Sequence, residues 1–308
     1  PALPAFLQAL TGRVFTDEGW VRNDACILSV RLIRQVCYWC KKIKKGYSDE
    51  SLQKAIVDFK DVDSSLPTSE SDLAHASSLL GVARAVVDLA LRDIGSPIDH
   101  GPKHGPGSVS DTGSPIEKRK MEVSYRQVEA VFRPIPWFFS LRDVSESYEC
   151  VTNRVRKDYG LSRTEFVEKD SSGPRTIGLE PAEYMWVQQS VKSLLYEHLQ
   201  YKSVVRGHIN FQDQSINRAF ARRWTTWDTL DMSKASDRNS LALVECLLKN
   251  SSILPYLRAC RTPGTILPDG SVLMYNKFAP MGSAVCFPIE ALVFYALSVA
   301  AIHLAGMP

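Results

Sequence analysis

The stretch Thr229–Ser240, TLDMSKASDRNS, sets two aspartates, Asp231 and Asp237, six positions apart, with Lys234 and three serines around them. It follows Trp224–Asp228, WTTWD, and the run to Met232 has the β-branched and aromatic character of a strand. A helix is expected to begin within Ser233–Asp237, SKASD. A strand end facing a helix start holds a carboxylate at a sheet edge beside free backbone N–H groups. Asp231 then has the residue type and position of a Mg²⁺ ligand, since that ion needs few protein oxygens and keeps water and phosphate in its shell. Asp237 would accept a hydrogen bond from a hydroxyl nearby. The same residues also read as an ordinary turn, with Asp237 or Ser233 capping the helix and Asp231 in solvent.

Working outward, the 308 residues are 44% apolar and 23% charged with a net charge of +3, the balance of a globular chain with a sizeable core. Any basic surface has to be local. Seven scattered cysteines fit a reducing compartment better than a disulfide framework. Cys37 and Cys40 form a CxxC, but with no second pair or nearby histidine they read as residues of an apolar helix. No signal peptide opens the chain, and both ends look cut, as in a fragment. The apolar segment Ala284–Gly306 contains Glu290 and Pro288 and lacks a basic flank, so a buried helix is expected rather than a membrane span.

The first ninety residues read as helices. Asp24 is placed to cap a run with apolar Ile27, Val30, Ile33, Cys37 and Cys40, stopped at Gly46. An amphipathic helix follows in DESLQKAIVDFKDV, and a longer one is expected between caps at Thr68–Ser71 and Gly95. Residues 96–120 are Gly-, Pro- and Ser-rich and end in a basic cluster. Two readings stay open: a flexible linker, or a loop that approaches a polyanion with Lys103, Lys118, Arg119 and Lys120 against phosphates.

Farther on, EKDSSGPR (Glu168–Arg175) is the turn of a hairpin whose Lys169 and Arg175 could clamp a triphosphate or lie solvated at the surface. A helix from about Ala182 to Leu199 follows, with Pro181 near its first turn, and DQSINRAFARR starts another under Asp213 or Ser215. SLALVECLLKN reads as helix and TILPDGSVLMY as a hairpin with Pro268-Asp269-Gly270 at its tip. Met281-Gly282-Ser283 is a small-residue loop before an apolar helix, suited to close approach of a nucleotide sugar or template backbone. Helices dominate and the strands gather after residue 164, so the class is α+β.

In this order the pieces resemble the RNA-dependent RNA polymerases of the single-stranded RNA bacteriophages, the leviviral replicase catalytic subunits. LDMSKASD is similar to that family's motif A, DLSxASD, and MGSAVCFPIEALVF to its motif B, MGNGxTFxLExLIF. EKDSSGPRTIGLEP matches motif F, DQSINRAFA a segment before motif A, and HGPGSV a Gly-rich loop upstream. Ser283 stands where the family usually has Asn, Ala284 where it has Gly and Cys286 where it has Thr, while Glu290 keeps the family's acid. The thiol is the weaker hydrogen-bonding group. The Gly-Asp-Asp of motif C does not occur in these residues. In the family it follows motif B at about the point where this chain stops.

The resemblance implies a right-hand polymerase fold, helix-rich, with an N-terminal helical region and basic loop at 1–120, fingers at 121–222, and palm at 223–308 around a hairpin at 264–276. It implies template-directed nucleotidyl transfer from nucleoside triphosphates with two Mg²⁺ or Mn²⁺ ions. Asp231 and the Met232 carbonyl would bind metal, and Asp237 would recognise the ribose 2′-hydroxyl. Lys169 and Arg175 would hold the triphosphate, and Gly282 and Ser283 would sit against the nucleotide. Lys103, Lys118, Arg119 and Lys120 are the candidates for RNA. The implied partners are template and product RNA, nucleotides, and in some members host translation elongation factors and a ribosomal protein, in the cytoplasm of a bacterial host. The alternative is a non-catalytic RNA-binding or scaffold protein built on a degenerate palm.

Overall fold

A computed structural model describes residues 4–39, 46–112, 116–119, 121–133, 137–138, 148, 151–170, 173–223 and 225–306; the side chains of Lys169 and Asp170 also lie outside the description. Two compact units emerge. The first comprises residues 1–55 and 166–175, and the second residues 56–165 and 176–308.

Within the first unit, helices α1 (Ala5–Thr11) and α2 (Ile27–Trp39) pack on each other. The expected cap at Asp24 is not formed, because its carboxylate accepts from the Arg22 guanidinium at 3.0 Å. Ile27 and Val30, expected on a buried face, are exposed. Cys40 and the lysines before Gly46 lie outside the described residues. This unit also holds the tip of the hairpin, where the Tyr47 hydroxyl donates to the Gly173 carbonyl at 3.0 Å.

Helix α3 (Asp49–Ser64) enters the second unit, where Ile56, Phe59 and Val62 are buried at helical spacing together with one acid, Asp63. A 3-10 turn, Ser71–Ala76, precedes α4 (Ser77–Ala90). The cap expected from Thr68–Ser71 is reversed: Asp72 reaches back, accepting from the Thr68 and Ser69 N–H groups at 2.9 and 3.0 Å. The helix ends at Ala90, before Gly95.

Short parallel strands β1 (Val123–Tyr125) and β2 (Val155–Lys157), with the turn of helix α5 (Arg126–Glu129) after β1, lie apart from the main sheet. That sheet contains β3 (Ser162–Asp170), β4 (Gly173–Leu179), β5 (Gly264–Ile266) and β6 (Val272–Met274) in the order β4-β3-β5-β6. Strand β5 runs parallel to β3, with Ser162 opposite Thr265, and antiparallel to β6. The β5–β6 hairpin turns as expected, with Gly270 at φ +82° and Asp269 accepting from the Ser271 N–H at 2.9 Å.

Helix α6 (Ala182–Glu197) starts after Pro181, and its first free N–H, that of Ala182, is taken at 3.0 Å by Asp111 from the Gly-rich segment. Helices α7 (Ser215–Arg222), α8 (Leu241–Leu248), α9 (Leu254–Cys260) and α10 (Cys286–Leu304) follow. The core lies where α10 packs on α4. Ala83, Val87 and Ala90 of α4 and Ile289, Val293, Ala296 and Ala300 of α10 are fully buried, and their small residues allow close approach. Among the described residues, Ser71–Ala90 and Cys286–Leu304 are long and apolar enough to cross a membrane by length and composition, and α4 and α10 are the helices that bury this face against each other. The architecture is helix-rich α+β, as the sequence indicates.

Two expectations are corrected around the opening stretch. Residues 225–234 form no strand: Trp227, Leu230 and Met232 are exposed, and no ladder partner is present among the described residues. Strand propensity without a neighbour to accept its backbone hydrogen bonds does not make a strand. The helix expected in SKASD is one 3-10 turn, Ala235–Arg238, entered through Lys234 at φ +55°. The true cap is Ser240, whose hydroxyl accepts from the Leu243 N–H at 3.0 Å to start α8.

Candidate functional site

The segments around Asp237 and the α10 N-terminus meet in the second unit. Backbone hydrogen bonds join them: Phe278 N donates to Asn239 O and Leu241 N to Asn276 O, each at 2.7 Å. This pairing carries Lys277 inward, and its side chain is fully buried. The Lys277 Nζ donates to Asp237 Oδ1 at 2.8 Å, lies 3.8 Å from Asp63 Oδ1 and sits 3.7 Å from the centroid of the Phe59 ring. Two carboxylates and a ring face thus replace the water an ammonium loses on burial. Asp63 is fixed in turn by the Asn276 and Lys277 N–H groups at 2.9 and 3.1 Å.

Asp237 accepts from this cation rather than from a hydroxyl, and its side chain remains 18% exposed. On α10, burial first and the Asp237 charge second hold the Glu290 carboxyl above its ordinary pKa. The Cys286 thiol is raised by burial first, then by Glu290 and Asp237. Both sit at the start of the helix that the 3-10 turn of Asp237 contacts.

The loop before α10 is fixed by backbone. Gly178 N donates to Met281 O at 2.7 Å, and Gly282 adopts φ +117° so close to β4 that an added Cβ would fall 2.2 Å from Gly178 O. A Cβ on Gly178 would in turn meet Pro280 Cγ at 2.7 Å. Neither position admits a side chain. In the same unit, Ser283 Oγ, Asn239 Oδ1 and Glu180 Oε2 are buried without a hydrogen-bond partner among the described residues. Orphaned buried polar atoms are costly, so they mark groups free to engage something further. Burial pushes the Glu180 carboxyl up to about 8, with the Thr262 hydroxyl and Arg261 opposing it.

Not every candidate joins this cluster. Asp231 and Met232 are exposed on the irregular segment, and among the described residues Asp231 makes no hydrogen bond or ion pair. Among those residues no three His, Cys, Asp or Glu side chains are grouped to hold a metal ion. Arg175 is exposed in the first unit; Lys169 is placed on β3 by its backbone only.

In the Gly-rich segment, Lys103 and Arg119 are exposed and Lys120 lies outside the described residues. Lys118 differs from the expectation of a phosphate contact in solvent. It is buried, and its ammonium donates to the Gly105 and Gly107 carbonyls. Residues 96–112 are tied to their surroundings by Ser110 N to Glu180 O at 3.0 Å, by the Asp111 cap, and by Ser190 Oγ to Pro97 O. A free linker would carry no such bonds.

Sequence reasoning missed Lys277, Asp63, Gly178 and Asp111. A clue existed for Lys277, a lone cation in the apolar setting MYNKFAP. No local signal linked Asp63 to it across more than two hundred residues.

The site therefore joins three segments distant in the sequence: the turn of Asp237, the Gly282-Ser283 loop before α10, and the end of β4. The RNA replicase, beta-chain family profile matches residues 125–307, well over half of the chain. The chain belongs to that family. It is 34% identical over 153 residues to the RNA-directed RNA polymerase subunit beta of Enterobacteria phage SP, covering 49% of this chain and 26% of the relative. It is 36% identical over 135 residues to the corresponding subunit of Escherichia virus Qbeta, covering 43% and 22%. To the RNA-directed RNA polymerase beta chain of Escherichia phage MS2 it is 30% identical over 165 residues, covering 53% and 28%. The matches thus span about a quarter of those relatives' length.

Proposed function

We propose that the polypeptide carrying this chain copies a phage single-stranded RNA by nucleotidyl transfer from nucleoside triphosphates, on a right-hand polymerase fold of which this chain supplies fingers and part of the palm. One observation carries the reading: the Asp237 turn, the Met281-Gly282-Ser283 loop and the end of β4 are locked together by buried contacts that leave Asp237 partly exposed and Ser283 Oγ and Asn239 Oδ1 without a partner among the described residues. Family membership and the names of the relatives support it.

The donor set suits Mg²⁺ or Mn²⁺ as part of a shell. The Asp231 carboxylate and the Met232 carbonyl are hard oxygen donors on an exposed, unpaired segment, and such ions retain water and phosphate oxygens. When bound, two ions would activate the attacking 3′-hydroxyl and offset charge on the departing pyrophosphate. Asp237, steadied by Lys277, accepts the ribose 2′-hydroxyl, with Ser283 beside the sugar. Gly282 adds no side chain of its own where the nucleotide lies. Lys169 and Arg175 neutralise the triphosphate. Arg119, with Lys103 and Lys120, contacts RNA phosphates, while Lys118 braces the loop that presents them. Template and product RNA are the macromolecular partners, with host elongation factors and a ribosomal protein as candidate subunits, in the cytoplasm of a bacterial host.

The deciding experiment is Asp231→Ala in the complete polypeptide. RNA synthesis is expected to vanish while RNA binding stays largely intact; near-wild-type incorporation would refute the assignment. The competing reading is a non-catalytic RNA-binding scaffold built on a degenerate palm. It predicts no incorporation by the wild type.

A further inference from the structure

An aromatic ladder in the second unit runs from α6 to the start of α10. Tyr196 and Phe211 stack with ring centroids 4.1 Å apart and planes 9° apart. Phe287 meets Phe211 edge-on at 5.6 Å and 70°, and keeps half its surface exposed. At the other end, Lys192 Nζ lies 5.7 Å from the Tyr196 centroid. Phe211 packs partly on the core, which accounts for its own position but not for the half-exposed Phe287.

The second observation is electrostatic. Lys192 makes no ion pair among the described residues, and the charge that acts on it is that of another cation, Lys103 of the Gly-rich segment. Partial burial, then the Lys103 charge, holds the Lys192 ammonium below its ordinary pKa. An ammonium group without an ion pair among the described residues, acted on by a second cation, attracts an anion. Cations beside an open aromatic face are the combination that holds a nucleic-acid strand: phosphates meet the charges and bases stack on the rings. Unpaired bases suit such a platform, because the bases of a duplex already stack on one another.

We propose that Lys103, Lys192 and the Tyr196–Phe211–Phe287 ladder form a binding site for single-stranded RNA, with phosphates at the two ammonium groups and a base stacked on Phe287. The proposal rests on the reading that this protein acts on RNA. It adds a platform on α6 and α10 to the residues that reading uses.

The test is fluorescence anisotropy of a labelled decauridylate on the complete polypeptide at several salt concentrations. Phe287→Ala is expected to weaken binding about tenfold, the loss of one stacked base. Phe287→Leu, which keeps apolar bulk but no ring face, should match the alanine variant, while Phe287→Tyr should stay within about twofold of wild type. Lys103→Ala and Lys192→Ala should each lower the log–log salt slope by about 0.7. Affinity for duplex RNA should not respond to Phe287→Ala. Wild-type affinity in Phe287→Leu, a weak Phe287→Tyr, or an equal loss on duplex RNA would overturn the proposal. Nucleotide incorporation by the wild type is followed in parallel. Incorporation alongside normal decauridylate binding by Phe287→Ala and Phe287→Leu defeats this inference alone. The expected binding pattern without incorporation supports the platform and defeats the polymerase reading instead.

Discussion

Lys277 Nζ donates to Asp237 Oδ1 at 2.8 Å, joining a lysine nine residues before the α10 helix to the second aspartate of the Asp-x5-Asp stretch. The lysine is fully buried, and Asp63 of α3 is its other carboxylate neighbour, at 3.8 Å. The candidate ribose-sensing acid is therefore held by a cation from the segment that leads into the Gly-Ser loop. A change in that segment reaches Asp237 directly.

Removing the cation leaves two carboxylates in a buried cage. Lys277→Met is expected to destabilise the protein by about 3 kcal/mol, because breaking a buried pair strands the remaining charge. In a double-mutant cycle with Asp237→Asn, followed by urea unfolding, the two changes should couple by about 1–3 kcal/mol. Additive effects would show that the pair is not energetically joined.

Asp237→Asn alone tests the acid's role. The amide keeps the shape but loses the charge and half the acceptor capacity of the carboxylate. Discrimination between ribo- and deoxynucleotides, measured as the ratio of kcat/KM values, should fall by about tenfold, the size of one lost charged hydrogen bond. An unchanged ratio removes Asp237 from sugar recognition.

Gly282→Ala places a methyl 2.2 Å from Gly178 O on a backbone at φ +117°. The loop must shift, costing at least about 2 kcal/mol and most of the nucleotide incorporation. Gly270→Ala is the control: its φ is +82° but its surroundings are open. It should cost about 1 kcal/mol and leave incorporation unchanged. Equal effects of the two substitutions would show that the contact with β4 is unimportant.

Glu180 gives a pH signature. Its carboxyl is held at about 8 by burial, above its ordinary value of 4.5. The folded state therefore binds the proton more tightly than the unfolded state. This contribution to stability is fully present below about pH 4.5 and is lost as the pH rises through about 8. Glu180→Gln mimics the protonated acid, so its thermal midpoint should fall less between pH 5 and pH 9 than that of the wild type. Parallel pH profiles would show that Glu180 does not titrate in this range.

Much of the architecture was legible locally. The β3–β4 hairpin, Pro181 before α6, the Asp269-Gly270 tip and the long α10 follow from turn chemistry and periodicity, which act over a few residues. Local rules failed where a partner was needed. Thr226–Met232 has the side chains of a strand but no neighbouring ladder among the described residues, so it stays irregular. The helix cap fell to Ser240 because the backbone pairing of Asn239–Leu241 with Asn276–Phe278 fixes where α8 can begin.

By itself, the sequence determined which segments are candidates for chemistry and their order along the chain: Lys169/Arg175, Asp231/Asp237, then Met281-Gly282-Ser283. Those residue types, order and spacings also carry the family resemblance. Only the tertiary structure decided what each group faces. It placed Lys277 and Asp63 around Asp237, set Gly282 against Gly178, drew Lys118 into its own loop and gave the Ala182 N–H to Asp111. The reason is that charge pairing, close backbone approach and capping across long separations depend on distance in space, and local sequence pattern reports only the burial of each element's own face.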